Sequence, residues 1–314
     1  MARTNVDYWI RAEYGDPVLD VIKRTSFVEA NARREPMGSD TKTLNRQLAE
    51  AGVAITAKGV AYNEEIPTGD EVTLTVRKFT AALRIAEEDV ADLPASGVAN
   101  YISSRQQGWA SNYAKFLDNA CLGVTAASNG GTIPFTSLYR SLSTTTSSVG
   151  YTANDNIVQT GGALTYAKLS AVLAKLENSD FYDFGNVIVV AHPSLIASFR
   201  NLVDDQHRPL FDSAPGGQPG QADQKATLFG LPVQFSQGAK TSAVASVSPS
   251  GNPLLFVVNK QALILGVRSG PESVAISGWD GTSSLTDEAI VKMRSRRAFV
   301  AANPKAAAVL EITA

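Results

Sequence analysis

Between Pro94 and Leu122 the chain carries one long amphipathic pattern, and little else in it constrains the fold as strongly. At about 100° of turn per residue, Val98, Ile102, Trp109, Tyr113, Phe116 and Ala120 fall within an arc of roughly 80°. The opposite face carries Asn100, Ser103, Gln107, Ser111, Lys115 and Asp118, side chains that water satisfies and an apolar core does not. Only Arg105 interrupts the stripe. Pro94 suits a first turn, where its missing N–H costs nothing, and Gly123 suits the exit. Such a helix is about 40 Å long, a beam for other elements to be laid along.

With 314 residues there is room for about two domains. The balance of 28 basic and 30 acidic residues, a formal charge of -2, is no footprint for gripping DNA by its phosphates. Cys121 is the only cysteine, which excludes an internal disulfide and a cysteine-based metal cage. Its place in the long helix predicts a buried, inert thiol. Met1 to Arg11 has no apolar core of signal-peptide length, and no run approaches the ~20 apolar residues of a membrane span. A cytoplasmic protein with no membrane partner is the expectation.

Along the chain, residues 1 to about 45 read as an arm laid on another surface rather than a compact unit. Val72, Leu74 and Val76 alternate with Thr73, Thr75 and Arg77 as a strand, and the run from Val53 to Tyr62 is its expected partner. Asn63 to Glu71 would then be the polar tip of a long hairpin, with Lys58 and Lys78 toward its base. A two-stranded hairpin is marginal alone in water, so this one needs a surface, from its own chain or from another copy. Glu87, Glu88 and Asp89 read as an acid-rich first turn of a short helix rather than as acid–base machinery, since no histidine lies nearby in sequence. Ser128 to Gly131 and Ser141 to Gly150 read as surface loops.

A more ordinary α/β region begins near Ala153. Thr165 is placed to cap a helix with Tyr166, Leu169, Val172, Leu173 and Leu176 on its apolar face. Val187 to Ala191 reads as a central strand buried on both faces. His192-Pro193 opens another helix, and Asp212 to Asp223 is a Gly/Pro-rich loop. Leu228 to Phe235, Leu254 to Val258, Leu263 to Val267 and Val274 to Ile276 are expected to complete one sheet. A long strand, Glu288 to Ala302, sets Lys292, Arg294 and Arg296 on one face and Val291, Met293 and Phe299 on the other. That basic face, with Arg297, suits acidic residues of a neighbour or water better than nucleic acid. Ala306 to Ile312 returns as a last apolar strand.

Catalytic readings find no support. His192 and His207 sit in no metal-binding spacing, and no G-x-S-x-G elbow or G-x-G-x-x-G turn accompanies them. No catalytic, cofactor-binding or metal-binding residue is therefore assigned, and no cofactor.

The order of parts resembles the major capsid proteins of tailed bacteriophages, the Hong Kong 97 fold, over nearly the whole chain. The pieces that carry the resemblance are Glu87-Glu88-Asp89 before the long helix, Val189-Val190-Ala191-His192-Pro193, Leu228-Phe229-Gly230-Leu231-Pro232-Val233, and Arg297-Ala298-Phe299-Val300 running to Ala306-Ala307-Ala308-Val309-Leu310. The resemblance implies an α+β capsid fold divided into an N-terminal arm (1–51), an extended E-loop hairpin (52–79), a peripheral domain with the spine helix (80–152), an axial α/β domain (153–283), the long peripheral strand (284–302) and a return strand (303–314).

It implies a non-enzymatic subunit that assembles with itself as hexamers and pentamers into an icosahedral shell, made in the host cytoplasm and kept in the virion. A portal protein at one vertex, separate scaffold and decoration proteins, and weak non-specific contact with packaged DNA are the further partners implied. The arm begins almost at Met1, so a separate scaffold, or none, is the expectation. In some relatives an E-loop lysine attacks an asparagine of a neighbouring peripheral domain. With no lysine between Asn63 and Glu71 and no asparagine in Ala289 to Met293, that link is expected to be missing here. An encapsulin-like compartment shell of the same fold, or an enzyme built on the α/β region, remain as alternatives.

Overall fold

The structure, a computed structural model, describes residues 26–48, 52–62, 64, 68–86, 88, 95–162, 164–202, 227–276 and 288–313, with the side chains of 95–100 and 275–276 left aside. Among features singled out above, residues 1–25 of the arm, Asn63 and residues 65–67 of the hairpin tip, Glu87, Asp89, Pro94, His207 and the 212–223 loop lie outside the described residues.

A short helix α1 (Phe27–Asn31) and strand β1 (Arg33–Pro36) precede strands β2 (Thr41–Gln47), β3 (Gly69–Thr75) and β4 (Arg77–Ala86). The long helix is α2 (Ala95–Leu122), followed by α3 (Leu138–Leu142), β5 (Ile157–Gly161), α4 (Tyr166–Glu177), β6 (Val187–Ala191) and α5 (Ile196–Arg200). Six strands complete the chain: β7 (Thr227–Leu228), β8 (Leu231–Phe235), β9 (Leu254–Asn259), β10 (Leu263–Ile276), β11 (Glu288–Ala301) and β12 (Ala307–Thr313). They form a four-stranded sheet in the order β1-β10-β11-β4, a six-stranded sheet in the order β5-β12-β9-β6-β8-β7, and the separate β2-β3 pair.

The six-stranded sheet shows why β6 is apolar at every position. Its alternate residues serve two cores, Val187, Val189 and Ala191 meeting the Leu169, Val172 and Leu176 face of α4. Ile188 and Val190 meet Leu117, Cys121 and Leu122 of α2 on the other side. A strand with two buried faces has no room for a polar alternate. Thr165 caps α4 by accepting from Lys168 N–H at 3.4 Å. Tyr166 departs from the expected apolar face: it is half exposed, its ring edge-on to Phe229 at 5.3 Å.

In the four-stranded sheet, β11 pairs antiparallel with both β10 and β4. Its alternation follows the expectation, with Val291, Met293 and Phe299 buried and Lys292 and Arg294 exposed. Phe79 of β4 packs edge-on against Tyr113 and Phe116 of α2, at 5.7 and 5.9 Å between ring centroids.

Several expectations are corrected. The partner of β3 is β2, paired from Thr41↔Thr75 to Gln47↔Gly69, and residues 52–62 form an irregular, exposed loop rather than a strand. Leu263 to Val267 and Val274 to Ile276 do not belong to the six-stranded sheet: they are two ends of the single strand β10. The intervening Arg268 to Pro271, which reads as a strand end, is absorbed by register shifts after Val267 and Ser269, and a bulge lets one strand run past residues that would otherwise stop it. Thr80 to Ala86, directly ahead of Glu87, is strand. Within Ser141 to Gly150 the one buried residue is Leu142, the end of α3.

The polar face expected for α2 is the most instructive departure. Ser111 and Asp118 are buried. From Leu117 to Leu122 the helix is enclosed on all sides, by α1, the sheet and the 236–246 segment, so polar residues there need protein partners in place of water. Asn119 has a full set: its amide donates to the Gly238 and Lys240 carbonyls, both at 3.0 Å, and its carbonyl accepts from Ser242 Oγ at 2.8 Å and Ser246 N at 3.0 Å. The approach is close enough to require glycine, since a Cβ on Gly238 would sit 2.4 Å from the Asn119 nitrogen and one on Gly123 would sit 2.0 Å from the Lys240 carbonyl oxygen.

Candidate assembly interface

Ser26, the first described residue, is fixed by Asp118. One carboxylate oxygen accepts from Ser26 Oγ at 2.5 Å and Val28 N at 3.2 Å, the other from Phe27 N at 2.9 Å and Ser236 Oγ at 2.6 Å. Four donors thus fill the carboxylate's acceptor sites and satisfy N–H groups that the first turn of a helix leaves open. Burial pushes the Asp118 carboxyl above its ordinary range, against the pull of those donors. One turn on, Glu29 accepts from Arg297 Nε at 2.9 Å and from the Tyr113 hydroxyl at 3.0 Å. Arg297 is buried within its own chain, so it is removed from the basic face to which the sequence assigns it.

The hairpin leaves the body through a second polar lock. Arg46 Nε donates to Asp70 Oδ1 at 2.7 Å while its other nitrogens reach Asp70 Oδ2 and the Ala302 carbonyl. That guanidinium holds the Asp70 carboxyl down at about 2. Beside it Leu74 packs with Met37, Ile264 and Ala298 under the root. Beyond the paired strands nothing among the described residues covers the loop: Val53 is 99 % exposed, Ile55 103 % and Tyr62 89 %. Isolated exposed apolar residues are ordinary, but four with Val60 on one projecting loop mark a contact surface. Lys58, read from the sequence as basal, lies in this distal loop.

On the outer face of the four-stranded sheet Arg294 pairs with Glu272 and Arg84 with Glu288. Lys78 and Arg296 stand directly opposite each other in register on β4 and β11, an arrangement of like charges that favours an anionic neighbour. His192 caps the turn after β6, its Nδ1 accepting from Ser194 N at 3.1 Å, and burial followed by the charge of Lys240 lowers its pKa to about 4. Cys121 is fully buried, and burial raises its thiol well above the ordinary value. Among the described residues no group of three or more His, Cys, Asp or Glu is placed to hold a metal ion, and no helix is long and apolar enough to cross a membrane.

The most elaborate chemistry in the molecule is thus spent on fixing an arm and a hairpin to a rigid frame, which is the construction of a structural subunit made to join others. The phage capsid family is matched across residues 7–312, and the chain belongs to that family. It is a major capsid protein, a structural component of the virion shell. Solved structures share its fold at low identity. A chain from Mycobacterium phage Bobi is 16% identical with a TM-score of 0.69, covering 100% of this chain and 99% of that one. One from Gordonia phage Cozz is 16% identical with a TM-score of 0.69, covering 96% and 91%. The capsid of an empty GTA particle, computed with C5 symmetry, is 14% identical with a TM-score of 0.67, covering 98% and 97%. No curated protein matches the chain.

Proposed function

We propose that copies of this chain join as hexamers and pentamers, assembled in the host cytoplasm into a closed shell, with the hairpin of each copy lying on the next. The observation that carries this reading is the bare distal loop on a locked root, with Val53, Ile55, Val60 and Tyr62 exposed above the Arg46–Asp70 pair. A closed rotational ring offers every hairpin an identical neighbour. The working parts are the β2–β3 hairpin with its loop, a peripheral unit of α2 with the four-stranded sheet to which β1 belongs, and an axial unit of the six-stranded sheet with α4. The subunit performs no catalysis. Packaged DNA meets it only weakly and without sequence preference. A portal fills one vertex, and scaffold or decoration proteins act from outside this chain.

Purified protein at physiological salt is expected to give closed shells or rings in electron micrographs. Deleting Gly52 to Tyr62 should leave a cooperative melt and abolish the shells. A wild-type protein that stays monomeric at high concentration, with or without scaffold, overturns the reading.

A further inference from the structure

A cleft of about 420 Å³ runs along the edge strand β4, between that strand, α2 and the 130–134 turn. One wall is aromatic, with Trp109 stacked on Tyr113 at 5.2 Å and Phe116 edge-on to Phe79 at 5.9 Å. The charge in the cleft is of one sign: Arg77 and Lys78 line it, and among the described residues no aspartate or glutamate does. Arg77 Nε is buried without a hydrogen bond, and no ion pair among the described residues includes this side chain. In register, Arg77 stands opposite Arg297, whose charge Glu29 already neutralises. The guanidinium lies over Gly130, where a Cβ would come within 3.1 Å of its nitrogens. Asn129 Oδ1, next in the chain, is already committed, accepting from Gly131 N at 2.9 Å and Ile133 N at 3.0 Å. The turn therefore supplies no counter-charge.

A half-buried cation attracts an anion more strongly than one in open water, because the local dielectric is lower. The planar fork of a guanidinium matches the two oxygens of a carboxylate, and an aromatic wall takes an aromatic ring edge-on or offset. The volume lies within the range of about 300 to 1,000 Å³ typical of small-molecule sites. We propose that the cleft binds a small aryl carboxylate, its carboxylate on the Arg77 guanidinium and its ring against Trp109 and Phe116. Lys78, exposed beside it, adds charge without a fork. An acid bound in this way bridges β4 and α2, so it stabilises the folded subunit. The site belongs to the single subunit and does not depend on how copies assemble.

The test titrates the full-length, unassembled subunit with hydrocinnamate, using hydrocinnamamide as the control without charge and acetate as the control without a ring. Calorimetry should show hydrocinnamate binding at least about tenfold more tightly than either control, and Arg77→Gln should remove that advantage. The acid should also raise the melting midpoint of the wild type and leave that of Arg77→Gln unchanged. Should Arg77→Gln not fold, NMR of the wild type gives a second reading. The Trp109 indole N–H signal, identified by its loss in Trp109→Phe, should shift with hydrocinnamate and stay in place with acetate. An amide that binds as tightly as the acid, an Arg77→Gln variant that keeps wild-type affinity, or a Trp109 signal unmoved at the highest acid concentration each overturns the proposal.

Discussion

Arg297 of β11 and Glu29 of α1, 268 residues apart in the chain, meet as an ion pair at 2.9 Å in which the arginine is almost completely buried. The pair joins the first described helix to the central strand of the four-stranded sheet, and Arg297 also donates to the Ser269 carbonyl. Removing one member of a buried pair strands the other, which costs far more than the pair contributes. Glu29→Ala is expected to lower the stability of the unassembled subunit by about 3 kcal/mol in urea unfolding. The double variant Glu29→Ala with Arg297→Met should lose less than the sum of the single changes. Additive losses would show that the two side chains do not act together.

Asp118→Asn tests the other clasp on α1. An amide offers one acceptor atom where the carboxylate offers two, and its NH₂ would face either the backbone N–H of Phe27 or that of Val28. A loss of about 2 kcal/mol is expected. Because burial raises the folded-state pKa above the unfolded value, the folded protein binds the proton first. Wild type should therefore gain stability relative to Asp118→Asn as the pH falls through that raised value, and lose the gain as the pH rises through it. Urea midpoints for both proteins at a series of pH values measure the difference.

The Arg46–Asp70 lock has the opposite sign. Arg46 lowers Asp70 from 3.8 to about 2, so its stabilisation is present above pH 3.8 and is lost as the pH falls through about 2. An NMR titration should place the Asp70 midpoint near the lower value, and Arg46→Met should return it to the ordinary range. In that variant the β2 and β3 amides should exchange with solvent faster while β6 and β9 remain protected. Equal loosening of all four strands would mean that the root is not a separate lock.

Shells of this protein are expected to be held without covalent links between subunits. One ground for this is weakened, since Lys58 lies in the distal loop rather than at the hairpin base. The other stands: β11 carries no asparagine between Glu288 and Ala301, and a lysine nucleophile without an amide to attack forms no bond. Boiling mature particles in detergent with reductant should give one band at the monomer mass. A ladder there would identify an amide elsewhere.

The elements legible in the sequence are those whose periodicity states their surroundings. The α2 helix, the all-apolar β6, the Thr165 and His192 caps and the alternation of β11 follow from local chemistry, and so does the order of parts that resembles a capsid protein. The partner of β3 is not local. Along β2 the inward positions are Lys42, Leu44 and Arg46, so a single apolar residue marks the buried face, whereas Val53 to Tyr62 is richer in apolar side chains and is bare. On the proposed function those residues are apolar for a contact beyond the subunit, and a sequence does not distinguish that from burial within it. Asp118, Ser111 and Arg297 were likewise hidden. Their spacing places them on polar or basic faces, and only tertiary packing, such as the docking of α1 against Asp118 and Arg297, buries them. A polar side chain becomes a structural anchor when donors from distant segments converge on it, and tertiary structure alone brings Ser26, Phe27, Val28 and Ser236 to one carboxylate.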